Sequence, residues 1–104
     1  MNDIKTIDIE GKTWLDKPNG NSYFSTRTTI DFGLETERNF FTPFQYGYGD
    51  QYIFESFKTL KDLGIITIGD KDVYWSFCKD HEIILRYHIE SHSRPQVERW
   101  GKKS

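Results

Sequence analysis

The sequence predicts one α+β domain spanning 1–104, an antiparallel sheet of about four or five strands with one or two helices packed on one face. Three observations predict it. Along 23–32, Phe24, Thr26, Thr28, Ile30 and Phe32 share one parity while Ser25, Arg27 and Asp31 share the other, the alternation of a half-buried antiparallel strand. Along 51–63 the apolar residues Ile53, Phe57 and Leu60 fall instead at helical spacing, with Phe54 and Leu63 beside them. Two turn signals, Lys17-Pro18-Asn19-Gly20 and Gly33-Leu34-Glu35-Thr36-Glu37, fold the first three extended runs into a meander.

The first strand runs from Asp3 to Leu15 on Ile4, Ile7 and Ile9, with Gly11 marking a bulge or bend and Trp14 and Leu15 leaving on opposite faces. Asn21-Ser22 leads into the second strand, Tyr23 to Phe32. The third, Arg38 to Gln45, is aromatic and β-branched, and Pro43 assigns it to an edge or to a strand end. The stretch Pro43-Phe44-Gln45-Tyr46-Gly47-Tyr48-Gly49-Asp50-Gln51-Tyr52 then turns strand into helix, with Asp50 as N-cap. The helix Gln51 to Leu63 covers the apolar face of the meander, and Gly64 stops it, with Ile65 folding back onto Leu60 in a Schellman motif.

The second half carries fewer signals. Ile65, Ile66 and Ile68 form a short apolar piece ended by Gly69-Asp70. Asp72 caps a second helix in which Val73, Tyr74, Phe77 and Cys78 make a stripe extended by His81, although Val73-Tyr74-Trp75 reads equally as a strand. Ile83 to Ile89 is a strand with Leu85, Tyr87 and Ile89 facing one way and Arg86, His88 and Glu90 the other. Ser91-His92-Ser93-Arg94-Pro95 is a loop, Val97 and Trp100 anchor a last short strand, and 101–104 is a frayed tail.

Only 36% of the residues are hydrophobic, so three Trp, six Tyr and eight Phe carry much of the core, and rings beyond its needs are left for a contact surface. A net charge of −2 gives no support for broad nucleic-acid or membrane binding. Cys78 is the single cysteine, so no intramolecular disulfide forms; with no apolar leader or membrane-length run, the expectation is a soluble protein of the cytoplasm.

No catalytic constellation emerges. His81, His88 and His92, with Asp80 and Glu82 alongside, lack metal-ligand spacing apart from His88 and His92, which sit on a strand and the following loop; neither a metal nor another cofactor is expected. Cys78 lies on an inward stripe and reads as an inert thiol, and the acid pairs Asp70/Asp72 and Glu35/Glu37 read as solvated turn residues. The spacing of Gly47 and Gly49 matches no nucleotide fingerprint. That junction reads as a tight turn with tyrosines on the sheet, or as a set of helix-opening amides able to hold an anion or a carbonyl. The expected binding surface is Trp14, Asn19, Asn21, Tyr23, Tyr46, Tyr48 and Gln51, and its expected partner is a protein. The alternative is a nucleic acid stacked on the same rings, with Arg27, Arg38, Arg86, Arg94 and Arg99 on phosphates. The signatures of an RNA-recognition motif are absent.

Three segments carry a resemblance: Gly11-Lys12-Thr13-Trp14 with Asp16-Lys17, Asn19-Gly20-Asn21-Ser22-Tyr23-Phe24-Ser25, and the Pro43 to Tyr52 stretch; Trp100-Gly101-Lys102 is similar as well. They resemble a group of small bacteriophage and prophage proteins of unknown function. The likeness covers the first half well and 54–94 poorly. It implies an accessory role in a bacterial host's cytoplasm, exerted by binding a host or phage macromolecule, and it supplies no activity and no catalytic residue.

Overall fold

The computed structural model describes residues 4–69 and 73–102. The described residues form an α+β fold with four strands and three helices: β1 (Thr6–Asp16), β2 (Asn21–Ile30), β3 (Arg38–Tyr46), α1 (Gln51–Asp62), α2 (Tyr74–Asp80), β4 (Ile84–Ser91) and α3 (Arg94–Trp100). The strand order is β3-β2-β1-β4. The first three strands make the expected antiparallel meander, Ile7 opposite Ile30 and Thr28 opposite Phe40. The return through α1 and α2 brings β4 back beside β1 running in the same direction, Asp8 opposite Arg86, so the sheet is mixed.

The inner face of the sheet carries Ile7, Ile9, Phe24, Thr26, Thr28 and Ile30, all buried. Against it α1 lays Tyr52, Ile53, Ser56, Phe57 and Leu60, and α2 adds Tyr74, Phe77 and Cys78. Ile53 and Leu60 are wholly buried, each contributing on the order of 2 kcal/mol. Two threonines of this face, Thr26 and Thr42, give their protons to α1, whereas the buried Thr28 hydroxyl has no hydrogen-bond partner among the described residues. Ser56 Oγ donates to the Tyr52 carbonyl at 2.8 Å, so Thr26 must be the donor in its 2.7 Å bond to Ser56. Thr59 likewise donates to the Glu55 carbonyl at 3.0 Å and accepts from Thr42 at 2.9 Å. The end of α1 follows expectation: the Ile65 N–H reaches the Leu60 carbonyl at 2.9 Å, and Gly64 takes φ +75°.

Several expectations are corrected. Gly11 makes no bulge; it pairs in register with Thr26 and Ile89, and its bare Cα admits the Tyr52 ring, whose Cδ2 would lie 2.9 Å from a Cβ built there. The irregularity falls between Phe24 and Thr26 on the β2–β3 step. Asp50 precedes α1 but makes no side-chain cap; its carbonyl takes the Ile53 N–H at 2.9 Å. Val73 occupies the N-cap position of α2, while Asp72 lies outside the described residues, as do Asp70 and, at the start of the expected first strand, Asp3. Phe32 is not part of the buried parity. Asp31 turns the chain at φ 56°, leaving Phe32 65% exposed, while its own carboxylate goes inward to the Lys5 N–H at 2.6 Å and the Thr36 hydroxyl at 2.7 Å.

The segment expected as a loop and last strand is a helix, α3, opening in its first turn with Pro95. The Gln96 side-chain oxygen accepts from the Ser93 N–H at 3.2 Å, one half of a capping box. This helix lies on the outer face, opposite α1 and α2. Val97 is fully buried, and its carbonyl accepts from the buried Ser25 hydroxyl. Trp100 donates through Nε1 to the Glu10 carbonyl at 2.8 Å, its carbonyl accepts from Arg27 Nε at 3.0 Å, and its ring lies between Lys12 Nζ at 4.1 Å and the Arg27 guanidinium at 3.9 Å. Gly101 then passes so close to the sheet that a Cβ would stand 2.7 Å from the Thr42 carbonyl oxygen.

Candidate functional site

The outer face that α3 leaves uncovered carries a row of rings across three strands. Register sets Trp14 of β1 opposite Tyr23 of β2, and Tyr23 opposite Tyr46 of β3. Facing side chains share a face, so the three rings meet. Trp14 and Tyr23 stack with centroids 5.7 Å apart, Phe44 stacks on Tyr23 at 5.2 Å, and Tyr46 stands edge-on to Tyr23 at 5.9 Å and to Tyr48 at 6.3 Å. Arg94, at the start of α3, lies over Trp14 at 5.5 Å and over Phe44 at 5.7 Å, and Glu98 holds it at 3.1 Å. Trp14, Tyr23 and Phe44 are half-buried. Tyr46 and Tyr48 are 54% and 69% exposed. The row therefore has a fixed base and two projecting tyrosines.

Trp14, Tyr23, Tyr46 and Tyr48 thus come together as one surface. Asn21, opposite Asp16, continues the row along the strands, on the same face as Tyr23 and Trp14. Asn19 belongs to the turn, where its amide nitrogen donates to Asp16 at 2.9 Å. Gln51 stands apart at the start of α1, its amide carbon 2.9 Å from where a Gly47 Cβ would be. Sequence reasoning missed Phe44 and assigned Arg94 a different role. Phe44 was legible as sharing parity with Tyr46, whereas the position of Arg94 depends on α3.

The glycine junction closes as a tight turn. The Gly47 N–H donates to the Ser22 carbonyl at 3.0 Å and the Gln51 N–H to the Tyr48 carbonyl at 3.3 Å, so neither amide faces an anion. Beneath it lies a cavity of about 280 Å³ walled by Phe24, Gly47, Gly49, Tyr52 and Ile89 among others. Burial pushes the Tyr52 hydroxyl's pKa up, and the negative charge of Asp50 adds to that, so this phenol stays protonated at neutral pH.

The three histidines do not share one site. His81, at the end of α2, packs on Phe77 with ring centroids 4.4 Å apart. His88 and His92 flank Glu90 at 3.0 and 3.3 Å, and those hydrogen bonds hold its carboxyl below the ordinary range. Among the described residues no group of three or more His, Cys, Asp or Glu is placed to hold a metal ion. Cys78 is buried, which pushes its thiol up to about 11. Three of the five arginines are occupied as well: Arg86 grips Asp8 through two bonds of 2.6 and 3.0 Å, Arg27 is bound to Trp100, and Arg94 to Glu98, while Arg38 and Arg99 are exposed.

A second group of rings joins the two inner-face helices: Tyr74 lies edge-on to Phe54 at 5.1 Å and to Trp75 at 5.0 Å. Trp75 is 56% exposed. No helix among the described residues is long and apolar enough to cross a membrane. Comparison with protein-family models, with curated proteins and with solved structures returns no match to this chain.

Proposed function

We propose that this chain is a non-catalytic binding protein that docks on another protein through the ring row, with Tyr46 and Tyr48 as the projecting contacts. The observation that carries this reading is the exposure of those two tyrosines on a base already stacked and rigid. Rings held in place lose little conformational freedom on binding, and Tyr and Trp are over-represented among residues that dominate interface energies. The resemblance of the Asn19 to Ser25 and Pro43 to Tyr52 segments to small phage and prophage proteins supports a host or phage protein of the bacterial cytoplasm as that partner.

A nucleic-acid partner is less favoured on the same face. Arg27, Arg86 and Arg94 are each engaged within the chain, and Asp8, Glu10 and Asp16 share their side of the sheet. A phosphate backbone needs free cations.

The test is capture of a defined partner from lysate of the bacterial host, with and without infection, followed by affinity measurement with the purified pair. Tyr46→Ala or Tyr48→Ala should weaken binding by roughly thirtyfold, the loss of about 2 kcal/mol expected of a dominant contact, while Trp75→Ser should leave it unchanged. Equal loss from all three, or a salt-steep gel shift with single-stranded DNA in place of a protein partner, would overturn the reading.

A further inference from the structure

The two edges of the sheet are built differently. The β3 edge carries Pro43 within the strand and adjoins the irregularity beside Phe24, two features that discourage further pairing. Edge strand β4, Ile84–Ser91, contains neither proline nor bulge, and Ile84 and Tyr87 are 60% and 55% exposed. The Ile84 N–H donates to the Lys5 carbonyl at 3.0 Å and the His92 N–H to the Thr13 carbonyl at 2.8 Å, so even-numbered residues face β1. Successive peptide groups alternate, so the N–H and C=O groups of Leu85, Tyr87, Ile89 and Ser91 point away from the sheet, where no element among the described residues pairs with them.

The side chains on this edge are self-complementary. On the outer face the order is Arg86, His88, Glu90, a cation and an anion placed symmetrically about a histidine. We propose that β4 is a dimerisation edge: a second copy of this chain adds its own Ile84–Ser91 antiparallel to the first, about a twofold axis through His88. In that register Arg86 faces the partner's Glu90 on both sides of the axis, and Tyr87 faces the partner's Ile89 on the inner face. The outward backbone groups then match. Leu85 with the partner's Ser91, and Tyr87 with the partner's Ile89, become pairs that exchange two hydrogen bonds each, while the Arg86–Glu90 and His88–His88 pairs take the closer, non-hydrogen-bonded positions. Slipping the copy by two residues either way sets Arg86 against a histidine and loses both Arg86–Glu90 pairs. Arg86 and Glu90 side chains are 57% and 59% exposed, so each can keep its partner within the chain and still reach across. The projecting Tyr46 and Tyr48 lie at and beyond the end of β3, on the other edge, and stay free in the dimer.

Sedimentation equilibrium over a concentration series should show mass rising from 12.4 kDa toward twice that value. Tyr87→Pro removes an outward N–H without touching the β1 ladder and should return a folded monomer by circular dichroism. Glu90→Lys places like charges across the axis and should weaken the dimer about tenfold. His88→Cys should form a covalent dimer under mild oxidation, because directly facing Cα atoms about 4.5 Å apart fall within disulfide reach. Arg86→Cys and Glu90→Cys should link only when mixed. Buried Cys78 supplies no competing thiol. A monomer at every concentration, a dimer unaffected by Tyr87→Pro, or self-linking through Arg86→Cys in preference to His88→Cys would each overturn the proposal.

Discussion

Gly101→Ala tests how tightly α3 is fastened to the sheet. Gly101 has φ −85° and ψ 7°, a negative-φ turn conformation open to alanine, so the main cost of the methyl is steric. An added Cβ would stand 2.7 Å from Ser25 Cβ, 2.7 Å from the Thr42 carbonyl oxygen and 3.0 Å from Pro43 Cα. None of these atoms can rotate away, since two are backbone and the third is fixed to it. Inserting a methyl into so close a contact costs roughly 1–3 kcal/mol. At about 2 kcal/mol, a domain of this size loses on the order of 10 °C in melting temperature. The assay is thermal unfolding followed by circular dichroism and by tryptophan fluorescence in a Trp75→Phe background, where the remaining Trp14 and Trp100 both report on the outer face. Fluorescence should change at or before the backbone signal, because the helix must shift to admit the methyl. A variant melting within a degree or two of its parent would refute the reasoning, since the contact at Gly101 would then be loose.

Three further outcomes follow from the described contacts. Ser56→Ala leaves the buried Thr26 hydroxyl without its acceptor and should cost about 1–3 kcal/mol in urea unfolding; adding Thr26→Val should recover part of that loss, and strict additivity would count against the assigned bond. Asp31→Ala removes the acceptor for Lys5, Thr6 and Thr36 and should cost about 3 kcal/mol. Burial pushes the Asp31 carboxyl up, but those hydrogen bonds outweigh it and hold the folded value below the unfolded one. Its stabilisation is therefore complete above about pH 4 and fades as pH falls through the lower, folded value, so the stabilities of Asp31→Asn and the parent should converge in acid; a widening gap there would contradict the sign. Cys78 should react with a thiol reagent at pH 8 at least about a hundredfold more slowly than free cysteine until the protein unfolds, because burial holds its thiol at about 11; rapid labelling of the native state would place that side chain elsewhere.

What could be read from the residues was what local chemistry decides. The alternation of Phe24, Thr26, Thr28 and Ile30, the stripe of α1 and the Gly64 stop each depend on neighbours within a few residues, and each is present. Trp14, Tyr23 and Tyr46 are expected on a surface only as rings beyond the needs of the core; the register across three strands is what brings them together. Gly11 was misread because its reason lies in Tyr52, far along the chain. Asp31 sat on the polar parity yet is buried, since its carboxylate serves backbone groups near the start of β1. The direction of β4 has no local signature at all. The last helix did have one: Ser93-Arg94-Pro95-Gln96 carries a capping residue, an early proline and a glutamine at the third position, and the proline drew the reading toward a loop instead. Arg94 joined the rings only once that helix existed.

The pairing of β1 with β4 joins positions 78 residues apart, Asp8 with Arg86. As the chain leaves the ribosome, β1 can zip to β2 at once, but its other flank stays bare until residues 84–91 have been made. Closure of that flank is a late, entropically expensive loop, and refolding should be slow for so small a domain. In the interval the nascent sheet presents an unsaturated strand to every neighbouring chain, making this period the one in which a chaperone matters most.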